Sequence, residues 1–291
     1  MPFNDGIPRT HCFSLTDIHD FERCVFRFLV RHHLERKSEI DDSSAKMALG
    51  TLLDESIKLF HLQTSSLDDP DSISYIVKGA YRHIKQSVEE KGDKSFYAKH
   101  IQFMNDAMVD QATAIFKDYY TKLDGKIKKS LGKVPFCEYI IERNGKRIKL
   151  WGGPDTFEMG EDGIPEVVDY KYHEDPTEGA SRLDMDLMPK MYMLLCRKTL
   201  QDKGYSKARF VVRQWTDPSN TSLVEEFDFA SLDAIADLIG QKIEPILQNR
   251  DVSFCEKGWC RACKSEKRQE YLKELEEKKF ITLNQDLLFA P

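Results

Sequence analysis

No apolar run in the sequence approaches the roughly 20 residues that a membrane-spanning helix needs, so no membrane contact is expected. The opening residues, MPFNDGIPRTH, lack a basic stretch followed by an apolar one, so no secretory leader is read and a cytoplasmic location is expected. Basic charge is not in excess: 43 Lys and Arg stand against 49 Asp and Glu, for a formal net charge of −6. That balance argues against a protein that coats nucleic acid by bulk attraction, while leaving room for local patches that meet phosphates. Internal repeats and low-complexity segments are absent. The seven cysteines are an odd number in a chain read as intracellular, so no disulfide framework is expected, and metal ligation or burial remain.

What is present describes a globular chain able to bury a substantial core: 291 residues, 41% hydrophobic, 11% aromatic and 32% charged. The expectation is a single elaborated domain over 1–291, with a mainly helical region at 1–130, an αβ core at 131–250 and a cysteine-containing segment with a terminal helix at 251–291. Ser14 with Asp17 three residues on forms a capping box, and apolar residues recur at helical spacing from Leu15 to Leu29. Further helices are predicted over 45–62, 72–90 and 96–122. The period then becomes alternating: 136–142, the Asn144-Gly145 turn, 147–151 and the stretch after it predict a three-stranded antiparallel meander. A helix over 181–203, strands over 208–215 and 223–229, and helices over 231–249 and 265–279 complete the reading.

The stretch from Gly152 to Lys171, GGPDTFEMGEDGIPEVVDYK, carries the most chemistry. Gly160-Glu161-Asp162-Gly163 is turn chemistry, so its two halves are expected to fold back as a hairpin that brings Asp155 near Asp169. Lys171 lies two residues on and shares the face of Asp169. Charges let into a Val-Val strand are costly unless they serve a purpose. Two converging carboxylates suit a hard divalent cation such as Mg²⁺, and a nearby lysine can orient a water or offset charge on a phosphate. The acid-x-Lys pattern alone is weak, because it recurs at Glu35 and Lys37, Glu89 and Lys91, and Glu276 and Lys278 in polar helical runs. The strand context distinguishes Asp169 and Lys171.

With GGPD and EVVDYK in the order helix, strands, helix, strand, the chain resembles the PD-(D/E)XK nuclease superfamily, and within it the RecB-like group that includes CRISPR-associated exonucleases. The Phe21-x-x-Cys24-x-x-Arg27-Phe28 helix and Cys260-x-x-Cys263 are similar to the opening and closing segments of that group. The resemblance implies an α/β (α+β) fold with a restriction-endonuclease-like core, a mixed β-sheet flanked by helices. It implies Asp155 and Asp169 as ligands of Mg²⁺ or Mn²⁺, the Tyr170 main-chain carbonyl as a further ligand, and Lys171 as the catalytic lysine. Asp54, four residues after Gly50, stands where the group has a metal-binding histidine; it is read either as a ligand or as a surface acid. Tyr192 matches a substrate-positioning tyrosine, or is helix core, while Met188 occupies the place of the glutamine before it. The implied function is a metal-dependent DNA nuclease, exonuclease-like, in repair, recombination or CRISPR-related processing, with DNA and protein subunits of such a complex as partners. The alternatives are a nuclease-fold DNA-binding or assembly subunit of weak activity, and a cysteine-cluster adaptor.

Four cysteines, Cys24 with Cys255, Cys260 and Cys263, can supply thiolates to Zn²⁺ or to a [4Fe–4S] cluster. The resemblance implies the cluster, from one N-terminal and three C-terminal cysteines. The spacing departs from that group, since no cysteine follows the close pair and Cys255 precedes it; cluster, zinc and free thiols all stay open. Cys12, Cys137 and Cys196 are read as buried small hydrophobes. Lys126, Lys128, Lys129, Lys133, Arg143, Lys146, Arg147, Lys190 and Arg213 are candidates to meet phosphates, with Arg213 and Lys190 nearest the expected site. Trp215 and Trp259 are read as structural aromatics rather than base-stacking ones.

Overall fold

The structure is a computed structural model that describes residues 6–40, 44–63, 70–92, 95–123, 127, 130–132, 134, 136–172, 182–217, 221–249, 251–255 and 260–282. In chain order its elements are β1 (Cys12–Phe13), α1 (Leu15–Arg23), α2 (Val25–Phe28), a π-turn (Leu29–His33), α3 (Lys37–Ile40), α4 (Ala45–Gln63), α5 (Ile73–Lys91), α6 (Ala98–Ile101) and α7 (Asp106–Lys122). Then follow β2 (Cys137–Arg143), β3 (Lys146–Gly152), β4 (Thr156–Met159), β5 (Pro165–Lys171), α8 (Arg182–Gln201), β6 (Lys207–Gln214), β7 (Thr221–Asp228), α9 (Leu232–Gln248), α10 (Arg261–Lys264) and α11 (Arg268–Glu277). The result is the expected mixed α/β architecture with flanking helices, its strands divided between two mixed sheets where one was expected. Among the described residues no helix is long and apolar enough to cross a membrane.

The chain divides into two compact units, each assembled from separate segments: Met1–Asp42, Cys137–Gly152 and Asp233–Pro291 form one, and Ser43–Phe136 with Gly153–Leu232 form the other. In the first unit β3 lies between β1, which it meets in parallel, and β2, which it meets antiparallel. Asn144 and Gly145 both take positive φ (51° and 71°), the mirror-image turn that suits the right-handed twist of a tight hairpin. In the second unit the order is β4-β5-β6-β7, with a parallel β5–β6 pair and antiparallel neighbours on either side. A parallel pair needs a crossover connection, and α8 supplies it.

The predicted three-stranded meander is therefore not formed. Strands β2 and β3 pair with each other, but β3 does not pair with β4. Pro154 has no N–H to offer a ladder, and the Asp155 N–H instead bonds Val168 O at 3.0 Å in the second sheet. Two predicted helices are also broken. Cys24, extended at φ −163° and ψ 102°, ends α1 and caps α2 through its own Sγ, which accepts the Arg27 N–H at 3.4 Å. Asn105 likewise caps α7, its side-chain oxygen accepting the Met108 N–H at 3.0 Å, so the stretch from 96 is α6 and α7. The capping box at Ser14 and Asp17 is formed as expected.

Strand β5 is buried along all but its last residue. Val168 and Tyr170 pack with Val211 and Trp215 into a core built from α4, α5 and α7, which includes Leu52, Ile57, Ile76, Phe116 and Tyr119. Alternate residues face the other way, toward α8, where Tyr192 stacks on Phe210 with ring centroids 5.7 Å apart. This double burial is the near-continuous apolar pattern of a central parallel strand. It makes each charge on β5 conspicuous.

Candidate functional site

The β4–β5 hairpin is the local cause of the site. Gly160 allows the turn because a Cβ there would meet Ile164 O at 2.7 Å. The register sets Thr156 against Val168, so Asp155, just before β4, falls beside Asp169. Asp155 Oδ2 accepts the Tyr170 N–H at 2.8 Å, which fixes that carboxylate against β5. The Lys171 Nζ lies 2.5 Å from Asp169 Oδ2, on the face predicted. The Tyr170 side chain points to the opposite face, so only its main chain borders these carboxylates.

Helix α4 brings Asp54 to the same place, where the Asp155 and Asp169 carboxylates and the Lys58 and Lys171 ammoniums all act on it. One turn on from Asp54, Lys58 holds its Nζ 3.6 Å from Asp155 Oδ1 and 3.2 Å from Glu55 Oε1. Helix α8 adds Tyr192, whose phenol is affected by Asp169 and Lys171. Asp54, Asp155, Asp169, Lys171 and Tyr192, all named from the sequence, thus converge. Lys58 was missed, although its place four residues after Asp54 on a helix was the available signal.

The electrostatics follow from burial and like charge. Burial, then the Asp155 carboxylate, pushes Asp54 well above the ordinary aspartate value. Burial also pushes Asp169 up, against the pull of Lys171. Burial opposes charge on Lys171 and Lys58, yet Asp169 in the first case and Asp155 with Glu55 in the second outweigh it and raise both. Burial and then Asp169 raise Tyr192. Four carboxylates (Asp54, Glu55, Asp155, Asp169) face two ammoniums (Lys58, Lys171), a formal surplus of two negative charges. With all four ionised, the carboxylate oxygens of this set are the donor type that a hard divalent cation takes.

The opposite face of the same sheet holds a buried charged network that sequence reasoning also missed. Glu158 and Glu166 are directly opposed across β4 and β5, and Arg213 bridges them, with Nη2 3.1 Å from Glu158 Oε2 and 2.5 Å from Glu166 Oε2. The Tyr170 hydroxyl donates to Glu158 Oε1 at 2.9 Å, and His61 Nε2 lies 3.6 Å from the same oxygen. Burial pushes Glu158 up, but His61 and Arg213 outweigh it and hold its carboxyl below the usual range. Arg213 is thus a core ion-pair residue and not a phosphate contact, which corrects the reading from sequence. Glutamates inside the strand patterns TFEM and PEVVDYK were the signal for it.

Of the other residues singled out, Met188 is buried one turn before Tyr192. Trp215 is fully buried in the core, as read from sequence, and Arg143 pairs with Glu244 in the first unit. Lys190 is half-buried on α8; Lys146 and Arg147 are exposed on β3. Lys126, Lys128, Lys129, Lys133 and Trp259 lie outside the described residues. Cys12, Cys137 and Cys196 are buried, as expected. Cys24, Cys255, Cys260 and Cys263 come together in the first unit, all buried, with the four Sγ atoms within 4.8 Å of one another.

The family model described as the PD-(D/E)XK nuclease superfamily matches residues 12–268 of this chain. No curated protein matches it. Among solved structures, one titled "Crystal structure of SSO0001" aligns at 15% identity over 82% of this chain and 93% of that chain, with a TM-score of 0.30. At that level the structural likeness adds nothing to the family match.

Proposed function

The chain belongs to the PD-(D/E)XK nuclease superfamily, whose members are generally hydrolytic nucleases using divalent metals, and from that premise we propose that it is a metal-dependent, exonuclease-like DNA nuclease of the RecB-like group. The observation that carries this reading is the convergence of Asp54, Asp155 and Asp169 with two lysines in one net-negative site. Asp155, Asp169, Asp54 and the Tyr170 carbonyl would hold Mg²⁺ or Mn²⁺. The ion supplies a Lewis acid for the phosphate and lowers the pKa of a bound water. Lys171, held by Asp169, orients the attacking water and offsets charge growing on the phosphate. Tyr192 lines the site from α8 and positions the substrate strand. Work within a repair, recombination or CRISPR-related complex, in the cytoplasm, is the setting this reading fits.

The direct test is incubation with end-labelled linear DNA and with circular DNA, each with Mg²⁺, Mn²⁺ or chelator. Metal-dependent loss of the linear form, with the circle spared, is expected. Tight DNA binding without cleavage in either metal would replace this reading with the DNA-binding subunit.

The raised carboxyls give the pH dependence its sign. Because the metal-free fold holds protons on Asp54 and Asp169 more tightly than the unfolded chain does, these groups contribute stability that is fully present below the unfolded-state value. That contribution is lost as pH rises through the raised folded-state values. A metal must displace the same protons, so Mn²⁺ affinity and the thermal shift it produces should both grow with rising pH. Asp54→Asn should melt higher than wild type without metal, yet bind Mn²⁺ at least about tenfold more weakly, since ligand charge count sets affinity. Calorimetry of Mn²⁺ binding at several pH values reads both effects; an affinity flat with pH would rule out the raised carboxyls as ligands.

A further inference from the structure

Four buried thiols in the first unit stand at distances that discriminate between metals. Cys24 Sγ lies 3.6 Å from Cys263 Sγ and 3.7 Å from Cys260 Sγ, and Cys255 Sγ lies 3.7 Å from Cys263 Sγ. Every pair in the set is within 4.8 Å. Zinc bonds to sulfur at about 2.3 Å, so the corners of its regular thiolate tetrahedron are about 3.8 Å apart. A [4Fe–4S] cluster instead places an entire iron–sulfur cube between its four thiolates, one iron to each, and so holds them much farther apart. The spacing here fits one ion and does not fit the cube that the resemblance to RecB-like nucleases implies.

We propose that Cys24, Cys255, Cys260 and Cys263 hold a single tetrahedral Zn²⁺ that staples the N-terminal helices to the C-terminal segment. Local backbone geometry serves that purpose. The break between α1 and α2 turns Cys24 inward, and its Sγ accepts the Arg27 N–H. The Cys260 N–H approaches Cys255 Sγ at 3.5 Å, and α10 returns Cys263 one turn after Cys260. Such N–H donors stabilise thiolate over thiol. Four protein ligands leave no open position for a water, so this ion is structural and takes no part in hydrolysis. It joins residues 239 apart in sequence, Cys24 and Cys263, and because the unfolded chain lacks the assembled site, the free energy of binding the ion adds to that of folding.

The test is metal analysis of the full chain, purified without oxygen from cells supplied with both iron and zinc. About one zinc per chain is expected, with no acid-labile sulfide and no broad iron–sulfur absorption. Cobalt(II) put in place of zinc should show the intense visible bands of a tetrahedral tetrathiolate site. Cys24→Ser and Cys263→Ser should each lose most of the bound zinc, while Cys196→Ser retains it. Should those variants not fold, the wild-type stoichiometry and cobalt spectrum decide. Iron and sulfide in near-equal amounts, about four of each per chain, would overturn the proposal. So would a metal-free protein that gives no cobalt spectrum.

Discussion

Lys171→Ala is expected to slow DNA cleavage by about 10²–10⁴-fold at saturating Mn²⁺, the range seen when a positioned proton-transfer or charge-stabilising group is removed. The loss should fall on the single-turnover rate and spare DNA affinity, because the ammonium is committed to Asp169 at 2.5 Å before any substrate arrives. Asp169→Asn should cost as much in rate for a different reason, the loss of a carboxylate from the proposed metal site. The two variants separate in thermal melting without metal. Lys171→Ala strands the buried Asp169 carboxylate and lowers the melting temperature, whereas Asp169→Asn removes that carboxylate and leaves Lys171 half-buried, where water can reach it. Mn²⁺ should then fail to stabilise Asp169→Asn. Equal cleavage by wild type and both variants would remove this pair from the chemistry.

Arg213→Met should be among the most destabilising single changes in the second unit, at about 3–5 kcal/mol, the cost of stripping one partner from a buried ion pair. For a chain of this size that corresponds to a fall in melting temperature on the order of 10 °C. Arg213 stands between Glu158 and Glu166, which the β4–β5 register sets directly opposite each other, and like charges so placed repel. Adding Glu158→Gln and Glu166→Gln to Arg213→Met should recover a large part of the loss by removing the stranded charge. Tyr170 links this network to the site, since its hydroxyl bonds Glu158 while its N–H bonds Asp155. Arg213→Met should therefore also lower activity in the fraction that stays folded. A melting temperature within a degree or two of wild type would show that water reaches the network.

The hairpin chemistry was legible in the sequence because it is local. Gly160 to Gly163 make one turn, and strand period two then places Asp155, Asp169 and Lys171 without reference to anything distant. The Ser14 cap and most helix spans were legible for the same reason. The path of the chain after β3 was not, because alternation tells a strand from a helix but not which strand it joins. Apolar periodicity also ran through Cys24 and Asn105, where a side chain capping the next helix overrides the pattern.

From sequence alone came the turn and the face of β5 that carries Asp169 and Lys171, both governed by neighbours within a few residues, together with the four cysteines and the balance of charge, which composition gives directly. Tertiary structure alone decided three further matters: that Lys58 stands over Asp155, that Arg213 serves a buried glutamate pair instead of DNA, and that the four thiols close to single-ion distance. Each depends on side chains meeting across elements far apart in the chain, and both the dielectric around a charge and the spacing of ligands are set by that packing.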